Sequence, residues 1–295
     1  MSRYEELKSY LKKYNKVIVA FSGGIDSYFV LKVSIDSLGK DNVLAVTGDS
    51  PSLKQSEKTQ TNILAEQIGA KHKIIFTEEM QNSSYTDNPV NRCFFCKDEL
   101  YTKLNELKSE HGFENILDGT NYDDMSDYRP GYQASKNKNI ISPLVELRFT
   151  KKEIREISKS LGLEIWDKPS SPCLSSRIPY GQKVTIEKLS LIEKAEEVIK
   201  NLGFKDFRVR FFEINQNGFG TASLKLAKVD IASKEIDKAL NRSIVDEIND
   251  KLKSIGFNFV TLDLGGLKSG SLNPERSRRE NKTSHILKNH GDVSK

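Results

Sequence analysis

The stretch Lys16–Ser27, KVIVAFSGGIDS, decides how the first half of the chain folds. Lys16–Phe21 is a short apolar run that predicts a buried strand, and the residues after Asp26 read as a helix. Between them, two glycines allow a tight turn, and the helix start supplies free N–H groups and the positive end of the helix dipole. This succession predicts an anion site suited to a pyrophosphate group.

The side chains of Ser22–Ser27 agree with that prediction. The hydroxyls of Ser22 and Ser27 can donate to phosphate oxygens, and the Asp26 carboxylate can act beside phosphates through Mg²⁺. The alternative is a Gly-Gly turn capped by serines. The whole hexapeptide between a strand and a helix favours nucleotide binding, and no Gly-Lys-Ser/Thr follows it, so it is not a Walker A loop.

Outward from this loop, strands and helices alternate. Further strands are predicted at Asn42–Thr47, Lys73–Phe76, Asn115–Asp118 and Asn139–Ser142. The alternation predicts parallel βαβ units in an α/β domain with a doubly wound, mostly parallel sheet. The pattern changes after a Pro- and Ser-rich stretch, so we expect a first domain over 1–181 and a smaller α+β domain over 182–270. A mobile tail is expected over 271–295.

Composition narrows the class of protein. The 295 residues are 37% hydrophobic and 29% charged with a net charge of +5, as in soluble globular proteins. No apolar run approaches the roughly 20 residues of a membrane helix. Met1–Tyr14 is charged and amphipathic, unlike a secretory signal, so we expect a cytoplasmic protein without membrane contact. The mild positive charge suits phosphate-bearing ligands and does not by itself indicate nucleic acid.

Several motifs resemble known families. Ser-Gly-Gly-x-Asp-Ser resembles the loop of the PP-loop ATP-pyrophosphatase superfamily, which has a Rossmann-like fold and cleaves ATP between its α- and β-phosphates. Gly119–Gly131, Pro172–Gly181 and Arg208-Val209-Arg210 resemble segments of the LarE family. LarE proteins are sulfur transferases that build the nickel-pincer nucleotide cofactor of lactate racemase. The resemblance covers about residues 1–270.

The resemblance implies a reaction and a set of site residues. LarE adenylates a carboxylate of pyridinium-3,5-biscarboxylic acid mononucleotide with ATP and Mg²⁺ and replaces AMP with sulfur. We therefore expect ATP and this nucleotide as partners, and a homo-oligomer such as a hexamer. Residues assigned to the ATP site are Ser22, Gly23, Gly24, Asp26, Ser27, Thr47, Gly119 and Thr120, and those assigned to catalysis are Cys173, Asp26 and Arg177.

Charged residues near these motifs have open interpretations. Arg208 and Arg210 alternate on a predicted strand and share a face, which suits a grip on the substrate phosphate, or else a solvated strand face. Asp123, Asp124 and Asp127 can serve the site or can form Asx turns. Glu196 and Asp230 are assigned to a divalent ion by rough placement on the family pattern.

The three cysteines, Cys93, Cys96 and Cys173, are too few for a disulfide framework. Cys173 matches the cysteine whose sulfur many LarE proteins sacrifice. Cys93-x-x-Cys96 is a departure from that pattern and leaves several interpretations. A redox dithiol lacks a thioredoxin-like context, and zinc lacks a histidine at finger spacing. A 4Fe-4S cluster on all three thiolates would leave one iron open for hydrosulfide, as in some LarE proteins and tRNA thiolases.

Two other functions remain open at this point. A tRNA thiolase would use the same loop and cluster, and the basic tail with Arg276 and Arg278 could touch RNA, but a solvated tail is the simpler interpretation, so we do not expect nucleic acid as a partner. A nucleotide sensor would bind ATP without turnover and release no pyrophosphate.

Overall fold

The computed structural model describes residues 1–126, 130–214, 223–268 and 270–272. It divides into two compact units, Met1–Cys173 and Leu174–Lys295. Most of the predicted tail, as well as Asp127, Arg276 and Arg278, lies outside the described residues.

The first unit is built on a parallel sheet of four strands in the order β3-β2-β1-β4. This sheet confirms the predicted parallel α/β architecture. Its strands are β1 (Val17–Ala20), β2 (Val43–Asp49), β3 (Lys71–Phe76) and β4 (Asn115–Leu117). Its helices are α1 (Arg3–Leu11), α2 (Ile25–Leu38), α3 (Gln55–Gln67), α4 (Ser83–Thr86), α5 (Arg92–Glu110), α6 (Pro130–Asn137), α7 (Pro143–Glu146) and α8 (Lys151–Ser160).

Both faces of the central strand β1 are buried. Val17 and Val19 of β1 pack into a core shared with α1, α2 and α8. Ile18, which points to the opposite face, packs into a second core with Tyr101 and Leu104 of α5. Apolar side chains on both faces are what a central parallel strand requires, which is why this strand reads as a continuous apolar run.

The strand predicted at Asn139–Ser142 is wrong. Only Ile141 forms a bridge, to Leu117 of β4. Asn139 has φ of 55°, in the left-handed region, and α7 begins at Pro143. A turn residue on one side and a helix start on the other leave no room for an extended segment.

The second unit contains a three-stranded sheet in the order β5-β6-β7. β5 (Phe207–Ile214) pairs antiparallel with β6 (Leu224–Ile231), which pairs parallel with β7 (Phe259–Leu262). The helices of this unit are α9 (Ile186–Asn201), α10 (Ile236–Ala239) and α11 (Arg242–Ile255). Ile192 and Ile199 of α9 are fully buried, so this helix supplies much of the core of the unit.

Candidate active site

The loop between β1 and α2 has the geometry expected of a phosphate loop. Gly23 has φ of 72°, and a Cβ there would lie 2.9 Å from Thr61 Cγ2. The N-cap of α2 is Gly24, and no side chain caps it, so the first N–H groups of the helix stay available to a ligand. The Ser27 hydroxyl donates to Gly24 O at 3.1 Å and accepts from Ser22 N at 3.2 Å. Ser27 therefore holds the loop together from inside.

Three of the residues assigned to ATP binding support the loop from behind. Thr47 is buried, and its hydroxyl donates to Phe21 O at 2.7 Å. Thr120 is bound to the Asp118 carboxylate through its N–H and its hydroxyl, at 3.1 and 2.8 Å. A Cβ on Gly119 would lie 2.5 Å from Ser27 N, so only glycine lets the end of β4 approach the start of α2 this closely.

A cavity of about 320 Å³ opens in front of the loop. The loop contributes Ser22, Gly24, Ile25 and Asp26. The segment between α8 and the end of this unit contributes Lys168 and Pro169–Cys173. The rest of the lining is Leu53, Lys54, Glu57 and Lys151. Two predicted catalytic residues, Asp26 and Cys173, thus line one cavity.

Asp26 is a partly buried carboxylate with one oxygen in an ion pair. Its Oδ2 accepts from Lys151 Nζ at 2.6 Å, while its Oδ1 is buried without a hydrogen-bond partner. Burial raises the pKa of Asp26, the nearby Asp124 raises it further, and Lys151 and Asn121 oppose the shift. A buried acceptor atom beside a phosphate loop is a suitable ligand for Mg²⁺, whose ligands are oxygens.

Lysines that the sequence did not single out complete the cavity. Lys168 Nζ lies 2.6 Å from Glu57 Oε2 and 2.5 Å from Gln60 Oε1, and its contact with Gly23 O is 3.5 Å. Lys151 occupies the first position of α8, where its N–H donates to Asp123 Oδ2 at 2.8 Å. Asp123 and Asp124 thus take part in local loop bonds, since Asp124 Oδ2 also accepts from Asn121 N at 3.2 Å.

The cysteines share one neighbourhood. Cys93 and Cys96 lie in the first turns of α5, and none of the three forms a disulfide. The pKa of the Cys96 thiol is raised well above its usual range by burial, by the charge of Glu79, and by Cys173 and Cys93. Glu79 is itself buried, and neither of its carboxylate oxygens has a hydrogen-bond partner.

No preformed metal site accompanies these thiols. Within the described residues, no three His, Cys, Asp or Glu side chains are grouped so that they could hold an ion. A buried carboxylate without a hydrogen-bond partner, such as Glu79 beside Cys96, is nevertheless energetically unfavourable. A cation at the cysteines would reduce that cost. The predicted metal ligands Cys93, Cys96 and Cys173 therefore stay a prediction.

The second unit holds a group of three arginines and two carboxylates. Arg177 is buried and binds Glu196 through Nε at 2.8 Å and through Nη2 at 3.3 Å. Arg210 is buried and binds Asp230 through Nε, and its Nη2 is buried without a partner. Glu196 and Asp230, assigned to a divalent ion, thus each hold an arginine, and an ion would have to displace it.

Arg208 differs from its two neighbours. It is 9% exposed, and no ion pair joins it to any residue that the structure describes. Burial lowers its pKa, and the charges of Arg177 and Arg210 lower it further, against Glu196 and Asp206. The interpretation of Arg208 and Arg210 as a solvated strand face is wrong, because both side chains are buried.

Several known proteins are similar to this chain over most of its length. The family model described as NAD synthase matches residues 2–96, which include the phosphate loop. An uncharacterised Synechocystis protein is 41% identical over 92% of this chain and 97% of its own. The pyridinium-3,5-bisthiocarboxylic acid mononucleotide synthase of Lactiplantibacillus plantarum is 35% identical over 89% of this chain and 91% of its own. The chain belongs to the LarE family.

LarE membership establishes the general chemistry. The chain is an enzyme, a sulfurtransferase that works with ATP. A Thermoanaerobacter tRNA-specific 2-thiouridylase, 26% identical over 86% of this chain, shows that a second class of sulfur-transferring enzyme is also similar to it. No helix in the described parts of this LarE protein is long and apolar enough to cross a membrane.

Sequence reasoning missed the two cavity lysines for an identifiable reason. Lys151 lies 125 positions from Asp26, and Lys168 lies 145 positions from Gly23. Contacts of such separation leave no local pattern. The signal in the sequence was the position of each lysine. Lys151 directly follows Thr150, the N-cap of α8, and Lys168 directly precedes the Pro-Ser stretch that ends at Cys173.

Proposed function

We propose that this LarE protein adenylates a carboxylate of pyridinium-3,5-biscarboxylic acid mononucleotide and replaces AMP with sulfur to give a thiocarboxylate. One observation carries the proposal: the phosphate loop and Cys173 line a single cavity. The group that would bind ATP and the residue expected to handle sulfur therefore reach the same small volume. The product named for the Lactiplantibacillus relative is the bisthiocarboxylic nucleotide.

The cavity residues suit the first half of this reaction. A carboxylate needs a leaving group before sulfur can attack it, and adenylation supplies AMP. The N–H groups in the first turn of α2, which no side chain caps, and the Lys151 and Lys168 ammonium groups would stabilise the charge that builds up on the departing pyrophosphate. Asp26, through its unpartnered Oδ1, would hold Mg²⁺, which neutralises phosphate charge when bound.

Sulfur transfer is proposed to depend on Cys93, Cys96 and Cys173. Cys93 and Cys173 are near enough to Cys96 for their charges to act on it, and the proposal is that the three side chains close around a 4Fe-4S cluster, because they are not grouped for an ion as they stand. An open iron would supply bound hydrosulfide as the nucleophile. The alternative is that Cys173 gives up its own sulfur and becomes dehydroalanine. Both routes use Cys173, and they differ in whether Cys93 and Cys96 are needed.

The substrate phosphate is proposed to bind at the arginine group. Arg208 lacks an ion pair with any described residue, and Arg210 Nη2 is a buried donor without a partner. A phosphate that accepts bonds from these groups would satisfy both. Arg177 is held by Glu196, so its part is to fix the position of that carboxylate, which in turn accepts from Val209 N at 3.1 Å.

The test is anaerobic turnover after reconstitution with iron and sulfide. Full-length protein is mixed with ATP, Mg²⁺, the dicarboxylate nucleotide and excess sulfide. We expect pyrophosphate, AMP and thiocarboxylate product, with more than one sulfur transferred per chain and no mass loss at Cys173. Cys93→Ala and Cys96→Ala should each lose iron and sulfur transfer but keep ATP binding.

The outcomes separate the two sulfur routes and the other functions. Dehydroalanine at position 173 together with full activity of the Cys93 and Cys96 variants would replace the cluster by the sacrificial route. ATP binding without any pyrophosphate release would indicate a sensor. Copurified tRNA that becomes thiolated, with the nucleotide left unchanged, would indicate a tRNA thiolase.

A further inference from the structure

We propose that a second anion site, which binds inorganic pyrophosphate, lies beside the ATP cavity on one face of α8. A cleft of about 440 Å³ is lined there by Lys151, Lys152, Arg155, Glu156, Lys159 and Trp166. We call these six residues the basic cleft. The inference rests on the proposed function, since pyrophosphate is the product that adenylation leaves in the neighbouring cavity.

The charge of the basic cleft is unbalanced. Four of its six lining residues are cations and one, Glu156, is a carboxylate. Lys151, Arg155 and Lys159 recur at every fourth position, so they lie on one side of the helix, where like charges destabilise it by about 0.2–0.5 kcal/mol per pair. A multivalent anion in the cleft would turn this repulsion into attraction.

The partners of these cations leave capacity for a ligand. Arg155 Nη2 donates to Lys168 O at 3.2 Å, but its Nε is buried without a partner. Lys159 Nζ lies over the Trp166 ring at 4.5 Å, and Lys152 Nζ lies 3.8 Å from Glu156 Oε1, with both side chains well exposed. A buried guanidinium N–H that lacks an acceptor is an energetic deficit that an anion oxygen would remove.

The helix end itself does not account for this site. The N–H of Lys151 is taken by Asp123, and that of Glu153 by the Thr150 hydroxyl in a capping box. The attraction therefore comes from side chains that extend along more than two turns of α8.

The position of the cleft suggests which anion it takes. Lys151 lines both the ATP cavity and the basic cleft. A pyrophosphate that leaves the phosphate loop past Lys151 therefore comes next to the other cations of the basic cleft. Arg155 of the basic cleft also donates to the backbone of Lys168, which lines the ATP cavity, so a hydrogen bond joins the two linings.

Calorimetry on the full-length protein tests the proposal. The ATP cavity is first filled with α,β-methylene-ATP and Mg²⁺, and inorganic pyrophosphate is then titrated. We expect one further pyrophosphate per chain. The double variant Lys152→Gln/Lys159→Gln, which leaves the ATP cavity intact, should bind it at least about tenfold more weakly, because two charge-assisted contacts are lost.

The matched control is Lys251→Gln/Lys253→Gln on α11, which removes the same charge and also interrupts a Lys–Glu pair at i,i+4 spacing. It should bind pyrophosphate like the wild type. No binding to the analogue-loaded wild type, or equal weakening in both double variants, would overturn the proposal. The titration involves no carboxylate substrate and no turnover, so its failure leaves the proposed function standing. Failure of adenylation would likewise leave this binding unchanged.

Discussion

Two of the charged groups in the described part of this LarE protein each leave a buried polar atom without a hydrogen-bond partner. At the phosphate loop, the unpartnered buried atom is an acceptor, Asp26 Oδ1. At the arginine group of the second unit, a donor, Arg210 Nη2, and an acceptor, Asp230 Oδ1, are both buried without a hydrogen-bond partner. Asp230 Oδ1 has Lys228 Nζ as a cation at 3.1 Å, so the second group is short of an anion at Arg210, whereas the first is short of a cation at Asp26. These are the deficits expected of a substrate phosphate site and of a magnesium–ATP site.

The two groups also differ in how much they contribute to folding. The Asp26–Lys151 pair keeps both side chains partly accessible, at 22% and 35% exposure. The Arg210–Asp230 pair is almost fully buried, at 2% and 1%. A pair next to a cavity can exchange partners when a ligand arrives, whereas a fully buried pair must stay matched for the unit to remain folded. The Asp26–Lys151 pair is therefore suited to ligand binding, whereas the Arg210–Asp230 pair supports folding and leaves Arg210 Nη2 and Arg208 for the substrate phosphate.

The largest effect is expected from Asp26→Asn. Loss of the cation-binding oxygen should lower pyrophosphate release by at least about a hundredfold, because the charge of the departing phosphates is no longer neutralised. Release is measured with ATP, Mg²⁺ and the dicarboxylate nucleotide. The thermal midpoint should change little. Asp36→Asn, on the same helix but bound to Lys32 and Tyr4, is the control and should keep activity. Near-normal release by Asp26→Asn would remove this residue from the mechanism.

The next effect, on stability, is expected from Arg210→Met. This change leaves Asp230 buried without its arginine, with Lys228 Nζ at 3.1 Å as its remaining cation. Breaking a buried pair costs about 3–5 kcal/mol, so denaturant unfolding should shift to clearly lower concentration. The double variant Arg210→Met/Asp230→Leu should recover much of the loss. Unchanged stability of the single variant would mean that this pair does not support the fold.

A smaller effect, on binding alone, is expected from Arg208→Ala. Because Arg208 forms no ion pair with any residue that the structure describes, its removal should change the free energy of unfolding little. Affinity for the dicarboxylate nucleotide should fall by about ten- to a hundredfold, equivalent to about 1.5–3 kcal/mol. Titration of nucleotide and of ATP separates the two sites, since ATP affinity should stay constant. If Arg208→Ala destabilised the protein as much as Arg210→Met does, the distinction between the two arginines would fail.

The smallest effect concerns the neutral support behind the phosphate loop. His72 Nε2 lies 2.8 Å from Thr47 Oγ1, and burial lowers the pKa of His72 below its usual 6.5. Below pH 6.5 the unfolded chain takes up this proton before the folded one, so His72 makes the free energy of unfolding fall as pH falls through that window. His72→Gln should flatten this slope, measured by urea unfolding between pH 5 and 8. If the free energy of unfolding depends on pH equally in both proteins, a group other than His72 takes up the proton.

Structure that depends on residues close together in the sequence could be predicted. Contacts between residues from distant segments could not. Lys16–Ser27 carries its own strand, turn and helix signals, and the parallel sheet follows from their alternation. The role of Thr47 as a support for Phe21, rather than as part of the cavity lining, depends on strand pairing that one segment does not encode. The alternation of Arg208 and Arg210 showed that they share a face, but not that the face is buried or that Asp230 takes only one of them.

Gly119 limits how this protein can evolve. Every single-base change of a glycine codon that replaces glycine by another amino acid adds a Cβ, and at this position that atom would lie 2.5 Å from the Ser27 nitrogen. The backbone of the phosphate loop would have to move before any such change could be accommodated. No amino-acid replacement at position 119 is therefore expected to be neutral. Random mutagenesis with selection for sulfur transfer should return this codon altered only by silent changes.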